Sequence, residues 1–260
     1  MVGRRAPYSE DMSYTEDLFR LDDRVAVITG GAGFLGLRHA EAIADMGGVP
    51  VLVDLSSERL ASAASHLEER YGSSTMTLDA DITDPERVRD AVAAIFDRYG
   101  RIDILLNNAA FTGKGKSIDG LHDPFEDYPL ELWEEALSVN LTGTFLVSQA
   151  VGKIMRTAGK GVLLNIGTDV ALVSPDQRIY VDETGEASFN TPIAYSTTKA
   201  GLLNFTRHLA TYWAPFNIRV NALCPAGVFD DHDPAFVKRL ANLIPMGRMA
   251  TPDEYKGSVA

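Results

Sequence analysis

The sequence predicts a single α/β domain built on a doubly wound, parallel β-sheet with helices on both faces. Six short apolar segments, rich in β-branched residues, alternate with long helix-compatible segments along the chain. The first apolar segment stops at a cluster of glycines, and a helix-compatible segment follows directly. Strands separated by helices of this length form βαβ units, whose strands run parallel. The 260 residues contain no internal repeat, low-complexity tract or linker, so we expect one domain.

Each predicted element follows from local residue chemistry. Apolar runs that stop at glycine or polar residues predict the strands, and the segments between them predict the helices. Asp84 caps the third predicted helix, because Pro85 stands at its first position. The predicted strands cover residues 24–29, 49–55, 75–80, 102–107, 161–166 and 217–223, and the predicted helices include residues 34–45, 130–156 and 194–214 and one that ends near residue 71.

Two long polar loops follow predicted strands and are the candidate substrate loops. They cover residues 112–128 and 174–191. In a doubly wound sheet, ligands bind at the carboxyl ends of the strands, where both loops begin. Residues 1–23 precede the first strand and are expected to be an N-terminal extension of the domain at residues 24–260.

The composition excludes several classes of protein. The 24 Lys and Arg residues against 36 Asp and Glu residues give a net charge of −12, which disfavours nucleic acid as a partner. No apolar run approaches the ~20 residues of a membrane helix, and the N-terminus does not resemble a signal peptide. Cys224 is the single cysteine, and the five histidines are too scattered to ligate a metal. We therefore expect a cytoplasmic protein with no membrane partner and no metal site.

The glycine cluster after the first strand predicts a dinucleotide site. Gly30, Gly33 and Gly36 allow a sharp turn, a close approach of a pyrophosphate to backbone N–H groups, and tight packing of the helix on the sheet. A glycine turn that binds nothing is the alternative. The position of the turn between a strand and a helix favours the cofactor.

Asp54 is the second element of the predicted cofactor site. It ends the second strand, 18 residues beyond Gly36, where a carboxylate accepts hydrogen bonds from ribose hydroxyls. A carboxylate there repels a 2′-phosphate, and no arginine stands beside Asp54 until Arg59, so the sequence predicts NAD over NADP. An exposed strand-end residue is the alternative interpretation of Asp54. Asp81 is placed either near the adenine or at a helix cap.

Tyr195 and Lys199 form the candidate acid–base pair. Their spacing of four residues puts the phenol and the ammonium on one face of a helix. Tyrosine normally ionises near pH ~10, so it needs a neighbouring cation that stabilises its anion. With such a neighbour, tyrosine donates a proton to a carbonyl or removes one from an alcohol. A tyrosine and a lysine at this spacing are common by chance, but their place after the fifth strand favours catalysis.

Six motifs together resemble one family. They are TGGAGFLG at residues 29–36, NNAA at 107–110, SVNLTGTF around Asn140, LLNIGT at 163–168, YSTTK at 195–199 and IRVNALCPAG at 218–227. From Arg24 onward the chain resembles the single-domain branch of the short-chain dehydrogenase/reductase family. The resemblance implies a Rossmann-type fold, a nicotinamide cofactor, and a homodimer or homotetramer paired through residues 130–156 and 194–214. Members usually continue past TPDEYKGSVA, so it also implies that a C-terminal edge strand is missing here.

The resemblance also implies roles for individual residues. Tyr195 is the acid–base, Asn140 holds a water that relays protons through Lys199, and Thr168 takes the place of the usual serine that bonds the substrate oxygen. The spacing TGxxGxxG, with Phe34 where the single-domain branch has glycine, instead resembles the extended branch. Ala110 and Ala226 are two further departures. The residues expected at the cofactor are Gly30, Gly33, Phe34, Leu35, Gly36, Asp54, Asp81, Ile82, Asn108, Ala109, Tyr195, Lys199, Pro225, Gly227 and Val228.

A polar insertion before Tyr195 indicates the class of substrate. Thr168 and Tyr195 are 27 residues apart, about twice the separation in most of the single-domain branch. The insertion favours a hydroxylated or anionic substrate, with Arg178 meeting a phosphate or carboxylate, although a merely solvated loop is the alternative. The stretch SPDQRIY in the insertion, together with GLLNFTRHLATYWAPFNIRVN and PAGVFDD, resembles oxidoreductases of bacterial surface-sugar biosynthesis, including those of flagellin glycans and nonulosonic acids. The chain is thus expected to be an NAD-dependent oxidoreductase of a secondary alcohol or ketone, and a catalytically silent NAD-binding sensor or assembly protein is the alternative.

Overall fold

A six-stranded parallel sheet forms the centre of the molecule, as the sequence predicts. The computed structural model describes residues 18–113, 118–181 and 190–260. The strands are β1 (Val25–Thr29), β2 (Val49–Asp54), β3 (Met76–Asp79), β4 (Ile104–Asn107), β5 (Gly161–Ile166) and β6 (Ile218–Leu223). Their order across the sheet is β3-β2-β1-β4-β5-β6, and every pair is parallel. Strands β2 and β3 therefore lie on one side of β1, and strands β4, β5 and β6 follow in order on the other side.

Helices cover both faces of this sheet. Alternate residues of β1 point in opposite directions, so Val25 and Val27 belong to one apolar core and Ala26 and Ile28 to the other. The α-helices are α1 (Phe34–Asp45), α2 (Ser57–Tyr71), α3 (Pro85–Tyr99), α4 (Leu130–Leu137), α5 (Thr144–Ala158), α6 (Ile193–Trp213), α7 (Pro234–Ala241) and α8 (Lys256–Val259). Helices α3 and α5 pack against the first core, and α1 and α2 against the second. The doubly wound α/β prediction is confirmed.

The predicted cap of α3 is present. The carboxylate of Asp84 accepts hydrogen bonds from the backbone N–H groups of Glu86 and Arg87 at 2.7 and 3.2 Å. Pro85, which has no N–H to satisfy, occupies the first helical position. Local chemistry alone therefore fixes where this helix begins.

The sequence predicts a single helix over residues 130–156, and this prediction is wrong. The structure divides it into α4, a π-helical turn at Ser138–Gly143, and α5. A π-turn inserts an extra residue into the helical ladder, and this shifts the faces on which the flanking side chains lie. The turn coincides with a tertiary contact, because the side chain of Asn140, inside the turn, binds the backbone of Phe111 after β4. The apolar periodicity of the segment carries no sign of that contact.

The candidate substrate loops contain short helices that the sequence did not predict. The described parts of these loops hold 3₁₀ turns at Phe125–Asp127 and Gln177–Tyr180, and α7 follows β6. Residues 114–117 and 182–189 of the loops, including Asp182 and Glu183, and residues 1–17 of the N-terminal extension lie outside the described residues. Within the described residues, no helix combines the length and the apolar character that a membrane span requires.

Candidate active site

A cavity of about 540 Å³ lies at the carboxyl ends of the strands. Residues that follow all six strands contribute to its wall, and the N-terminal part of α6 closes one side. This is the end of a doubly wound sheet at which ligands bind. Fourteen of the predicted site residues line it: Gly30, Gly33, Phe34, Leu35, Asp54, Asp81, Ile82, Asn108, Ala109, Thr168, Tyr195, Lys199, Pro225 and Val228.

Four predicted site residues lie outside the lining. Gly36 packs under the turn, where an added Cβ would clash with the carbonyl oxygen of Gly30. A Cβ at Gly227 would press on Leu240 at 2.7 Å, so this glycine serves packing on α7. Asn140 is buried beneath the cavity wall, and Arg178 is on the surface.

The glycine turn is held open towards the cavity. Gly30 has a φ of +61°, and an added Cβ would lie 2.9 Å from the Cα of Ala109. The side chain of Asn108 donates to the carbonyl oxygens of Thr29 and Gly30, each at 3.0 Å. Helix α1 begins after Gly33, which provides no side-chain cap, and Phe34 and Leu35 of its first turn line the cavity. The N-terminus of a helix favours an anionic ligand.

The carboxylate of Asp54 accepts several hydrogen bonds at the end of β2. It accepts from the backbone N–H groups of Ala32 at 3.2 Å and Leu55 at 2.8 Å. The guanidinium of Arg59 also donates to it, at 2.9 Å. Because Ser56 caps α2 and accepts a bond from the N–H of Arg59, the first helical turn brings Arg59 back towards Asp54. Sequence reasoning treated Arg59 as too distant, yet it lines the same cavity.

Tyr195 and Lys199 lie one turn apart on α6, as their spacing predicts. The phenol of Tyr195 is hydrogen-bonded to the side chain of Thr168. The ammonium of Lys199 is buried and donates to the carbonyl oxygen of Ile166 at 2.6 Å. Burial lowers the pKa of Lys199 to about 8. The acid–base candidate and the hydroxyl expected at the substrate oxygen are therefore in direct contact.

The ionisation of Tyr195 differs from the expectation that Lys199 eases it. Burial raises the pKa of Tyr195, the hydrogen bond with Thr168 lowers it, and the nearby negative charge of Asp169 raises it. The net direction is upward, because the effect of burial is the largest. The ammonium of Lys199 is directed at the carbonyl oxygen of Ile166.

Asn140 is committed to protein contacts. Its side-chain oxygen accepts from the N–H of Phe111 at 2.7 Å, and its amide donates to Thr198 at 3.0 Å and to the carbonyl oxygen of Phe111 at 3.2 Å. The side chain thus joins the loop after β4 to α6, next to Lys199. Its role in a water relay stays a prediction.

The two candidate substrate loops contact each other. The side chain of Asn190 donates to the carbonyl oxygen of His122 at 3.1 Å, and the imidazole of His122 lies 2.8 Å from the carbonyl oxygen of Asn190. Arg178 is exposed and forms an ion pair with Asp176 at 2.6 Å. This pair lowers the pKa of Asp176 to about 2. Part of the charge of Arg178 is therefore already paired with Asp176.

Helix α7 supports the second of these loops. The guanidinium of Arg239 donates to the carbonyl oxygen of Ile179 at 2.7 Å. The rings of Tyr180 and Phe236 stack with centroids 5.6 Å apart. The 3₁₀ turn at Gln177–Tyr180 is thereby fixed to α7, which follows the last strand of the sheet.

The lining also contains residues that sequence reasoning missed. They are Val53, Leu55, Arg59, Ala80, Ala110, Thr112, Val139, Ile166, Gly167 and Ala226. Most are direct neighbours of predicted residues, so the signal that finds them is adjacency to a strand end. Among the described residues, no group of His, Cys, Asp and Glu is arranged to hold a metal ion.

A family profile matches this combination of fold and site. The profile described as enoyl-(acyl carrier protein) reductase matches residues 32–260. D-threitol dehydrogenase of Mycolicibacterium smegmatis is 34% identical over 241 residues, which are 91% of this chain and 84% of that protein.

The chain belongs to the short-chain dehydrogenase/reductase family.

Two solved structures of dehydrogenases are similar to this chain over most of its length. NAD⁺-bound xylitol dehydrogenase has a TM-score of 0.80 and 27% identity, covering 92% of this chain and 91% of the other. Gluconate 5-dehydrogenase of Burkholderia cenocepacia, in complex with NADP and tartrate, has a TM-score of 0.81 and 28% identity, covering 95% and 90%. These relatives are named as enzymes, and they give no support to a catalytically silent sensor. This short-chain dehydrogenase/reductase is an NAD(P)-dependent oxidoreductase of alcohols and ketones.

The residues present fit such a cofactor. Gly30 and Gly33 leave the backbone open where a pyrophosphate would bind, and a side chain at Gly30 would close that approach. Asp54, which lines the cavity, would hold a ribose, and Tyr195 and Lys199 line the same cavity. The nicotinamide would supply a hydride acceptor or donor there.

Proposed function

We propose that this protein is an NAD-dependent dehydrogenase of a small polyol or sugar-like substrate, interconverting a secondary alcohol and a ketone. The observation that carries the proposal is the contact of Tyr195 with Thr168 at the end of a dinucleotide cavity. In a single-domain oxidoreductase this places an acid–base and a hydroxyl at the oxygen that gains or loses the proton.

Each polar residue has a distinct task in this proposal. Tyr195 donates a proton to the substrate oxygen during reduction and removes one during oxidation. Thr168 orients that oxygen through its hydroxyl. Lys199 binds the nicotinamide ribose and, with Asn140 beside it, passes the proton onward to solvent.

Two kinds of observation support a hydroxylated substrate. The names of three relatives refer to threitol, xylitol and gluconate, which all carry several hydroxyl groups. The loops beside the cavity are polar, and Thr112 contributes to its lining. The resemblance of the insertion to surface-sugar enzymes favours the same chemical class. A role for Arg178 with anionic sugars stays a prediction.

The preference for NAD over NADP is part of the proposal. The buried carboxylate of Asp54 accepts from ribose hydroxyls and repels a 2′-phosphate. Its ion pair with Arg59 leaves little positive charge for that phosphate. A cytoplasmic location and a homodimer or homotetramer paired through α4, α5 and α6 belong to the same proposal, on the family resemblance.

We expect Asp54→Asn to shift the cofactor preference towards NADP. The variant removes the repulsion of the 2′-phosphate and frees the charge of Arg59. The ratio of kcat/KM for NAD to that for NADP should fall about 10-fold, which corresponds to about 1.4 kcal/mol. Steady-state kinetics with both cofactors measures the ratio. In the double variant Asp54→Asn/Arg59→Ala the gain with NADP should disappear; an unchanged ratio in the single variant would contradict the assignment.

A substrate panel tests the proposal itself. The protein is mixed with NAD⁺ and, separately, threitol, xylitol, glycerol, gluconate and hydrophobic secondary alcohols, and NADH is followed by absorbance. Oxidation of one or more polyols, with the hydrophobic alcohols at least ~10-fold slower in kcat/KM, supports a polyol dehydrogenase, because a polar site leaves its hydrogen-bonding groups unpaired with an apolar substrate. Binding of NAD⁺ without turnover of any substrate in either direction would overturn it.

A further inference from the structure

One peptide unit in the wall of the cavity is hydrogen-bonded on both of its sides. It joins Pro225 to Ala226, two residues that line the cavity shortly after the end of β6. The carbonyl oxygen of Pro225 accepts from the backbone N–H of Asp169 at 3.1 Å. The backbone N–H of Ala226 donates to the phenol oxygen of Tyr255 at 3.1 Å. Because both polar groups of this planar unit are bound, its orientation is fixed.

The bond from Asp169 places this peptide unit beside the catalytic groups. Asp169 follows Thr168 directly in the chain, and Thr168 is in contact with Tyr195. In the proposed reaction the proton of Tyr195 and the hydride of the nicotinamide go to adjacent atoms of the substrate. The nicotinamide therefore has to lie near Tyr195, on the side of the cavity to which Pro225 and Ala226 belong.

Tyr255 belongs to a segment that runs beside the chain after β6. The backbone N–H of Ala250 donates to the carbonyl oxygen of Gly227 at 2.9 Å, and the backbone N–H of Phe229 donates to the carbonyl oxygen of Ala250 at 2.9 Å. These two bonds form a short parallel bridge. The segment after α7 is thereby fixed next to residues 227–229, and it brings the phenol of Tyr255 to Ala226.

The residue after Tyr255 is bound to the helix that follows the glycine turn. The ammonium of Lys256 lies 2.5 Å from the buried carboxylate of Glu41, on α1. The same helix begins with Phe34 and Leu35, which line the cavity. Two adjacent residues thus connect the chain after β6 with α1, and both of these elements contribute to the wall of the cofactor cavity.

We propose that Tyr255 is a positioning residue for the nicotinamide half of the cofactor, acting through its hydrogen bond with the backbone of Ala226. The inference rests on the proposed function, because that function places the nicotinamide near Tyr195. Tyr255 does not line the cavity, so its effect passes through the main chain. Without the phenol oxygen, the Pro225–Ala226 unit loses one of its two bonds and its orientation is no longer fixed. A bound nicotinamide then has to order this unit again, which weakens binding.

The first test compares the binding of two ligands to Tyr255→Phe. This variant keeps the ring and removes only the oxygen that accepts from Ala226. The Kd for NADH, measured from the fluorescence of the bound dinucleotide, should rise about 5-fold, a typical effect of one hydrogen bond. ADP-ribose lacks the nicotinamide, and its Kd, measured by calorimetry, should stay within about 2-fold of the wild-type value.

Tyr99→Phe is the matched control. The hydroxyl oxygen of Tyr99 is buried without a hydrogen-bond partner among the residues that the structure describes, and Tyr99 does not line the cavity. The control should bind NADH and ADP-ribose as the wild type does. Equal losses of both ligands in Tyr255→Phe would show a general structural role and overturn the proposal. Unchanged binding of NADH to Tyr255→Phe, or an equal loss in Tyr99→Phe, would overturn it as well.

The second test needs no ligand. Amide hydrogen exchange is followed by NMR in the wild type and in Tyr255→Phe. The amide of Ala226 should exchange about 5-fold faster in the variant, while the amides of β5 keep their wild-type rates. An Ala226 amide that exchanges at the wild-type rate would overturn the proposal. If the wild type binds NADH but converts no substrate, the proposed function fails, while both tests still decide the role of Tyr255.

Discussion

Replacing Tyr195 with phenylalanine is expected to lower kcat by about 10³-fold in both reaction directions, within the usual range for one acid–base group. The variant keeps the ring that α6 places in the cavity and removes the oxygen bonded to Thr168. No acid–base group then exchanges a proton with the substrate oxygen when the hydride is transferred. Stopped-flow and steady-state measurements with the best polyol and with its ketone give kcat for each direction.

The affinity for NADH separates loss of chemistry from loss of the fold. The affinity for NADH should stay within about 2-fold of the wild type. A single hydroxyl group contributes little to the binding free energy of so large a ligand. Tyr212→Phe is the matched control: Tyr212 lies on the same helix but is exposed, and its removal should leave kcat unchanged. Turnover of Tyr195→Phe within 10-fold of the wild type would assign the proton transfer to another group.

The fold followed from the sequence because its signals are local. β1 is an apolar run buried along its whole length, and it stops where glycine permits a sharp turn. The cap at Asp84 and the spacing of Tyr195 and Lys199 are also properties of a few adjacent residues. Such patterns can be recognised without knowledge of distant contacts. The predicted bounds of the elements therefore agree with the structure to within a few residues.

Other parts of the site depend on contacts between distant segments. The π-turn at Ser138–Gly143 exists where Asn140 binds Phe111, 29 residues earlier in the chain. The ion pair of Arg59 with Asp54 requires the first turn of α2 to fold back over the end of β2. The periodicity of apolar residues does not depend on these contacts, so composition and spacing could not predict them.

Glu41 connects three helices on the side of α1 away from the cavity. Its carboxylate is fully buried and lies 2.5 Å from the ammonium of Lys256 on α8, 2.6 Å from the imidazole of His66 on α2, and 2.8 Å from the guanidinium of Arg38. Burial alone raises the pKa of Glu41. The bonds from Lys256, His66 and Arg38 outweigh that effect and lower the pKa to about 2.

We expect Glu41→Ala to lower the free energy of unfolding by about 3 kcal/mol at pH 7, because it leaves partly buried cations without their partner. The folded pKa of Glu41 lies below its ordinary value of 4.5, so the contribution is complete above that value and is lost as the pH falls towards about 2. Urea unfolding at pH 7 and at several pH values below 4.5 measures both effects.

The difference between wild type and Glu41→Ala should therefore shrink steadily as the medium is acidified, whereas a cavity effect alone would be independent of pH. Glu69→Ala on the exposed face of α2 is the control, and it should change stability by less than about 0.5 kcal/mol at every pH. A stability loss in Glu41→Ala that is the same at all pH values would show that packing of the side chain, and not its charge, holds α1, α2 and α8 together.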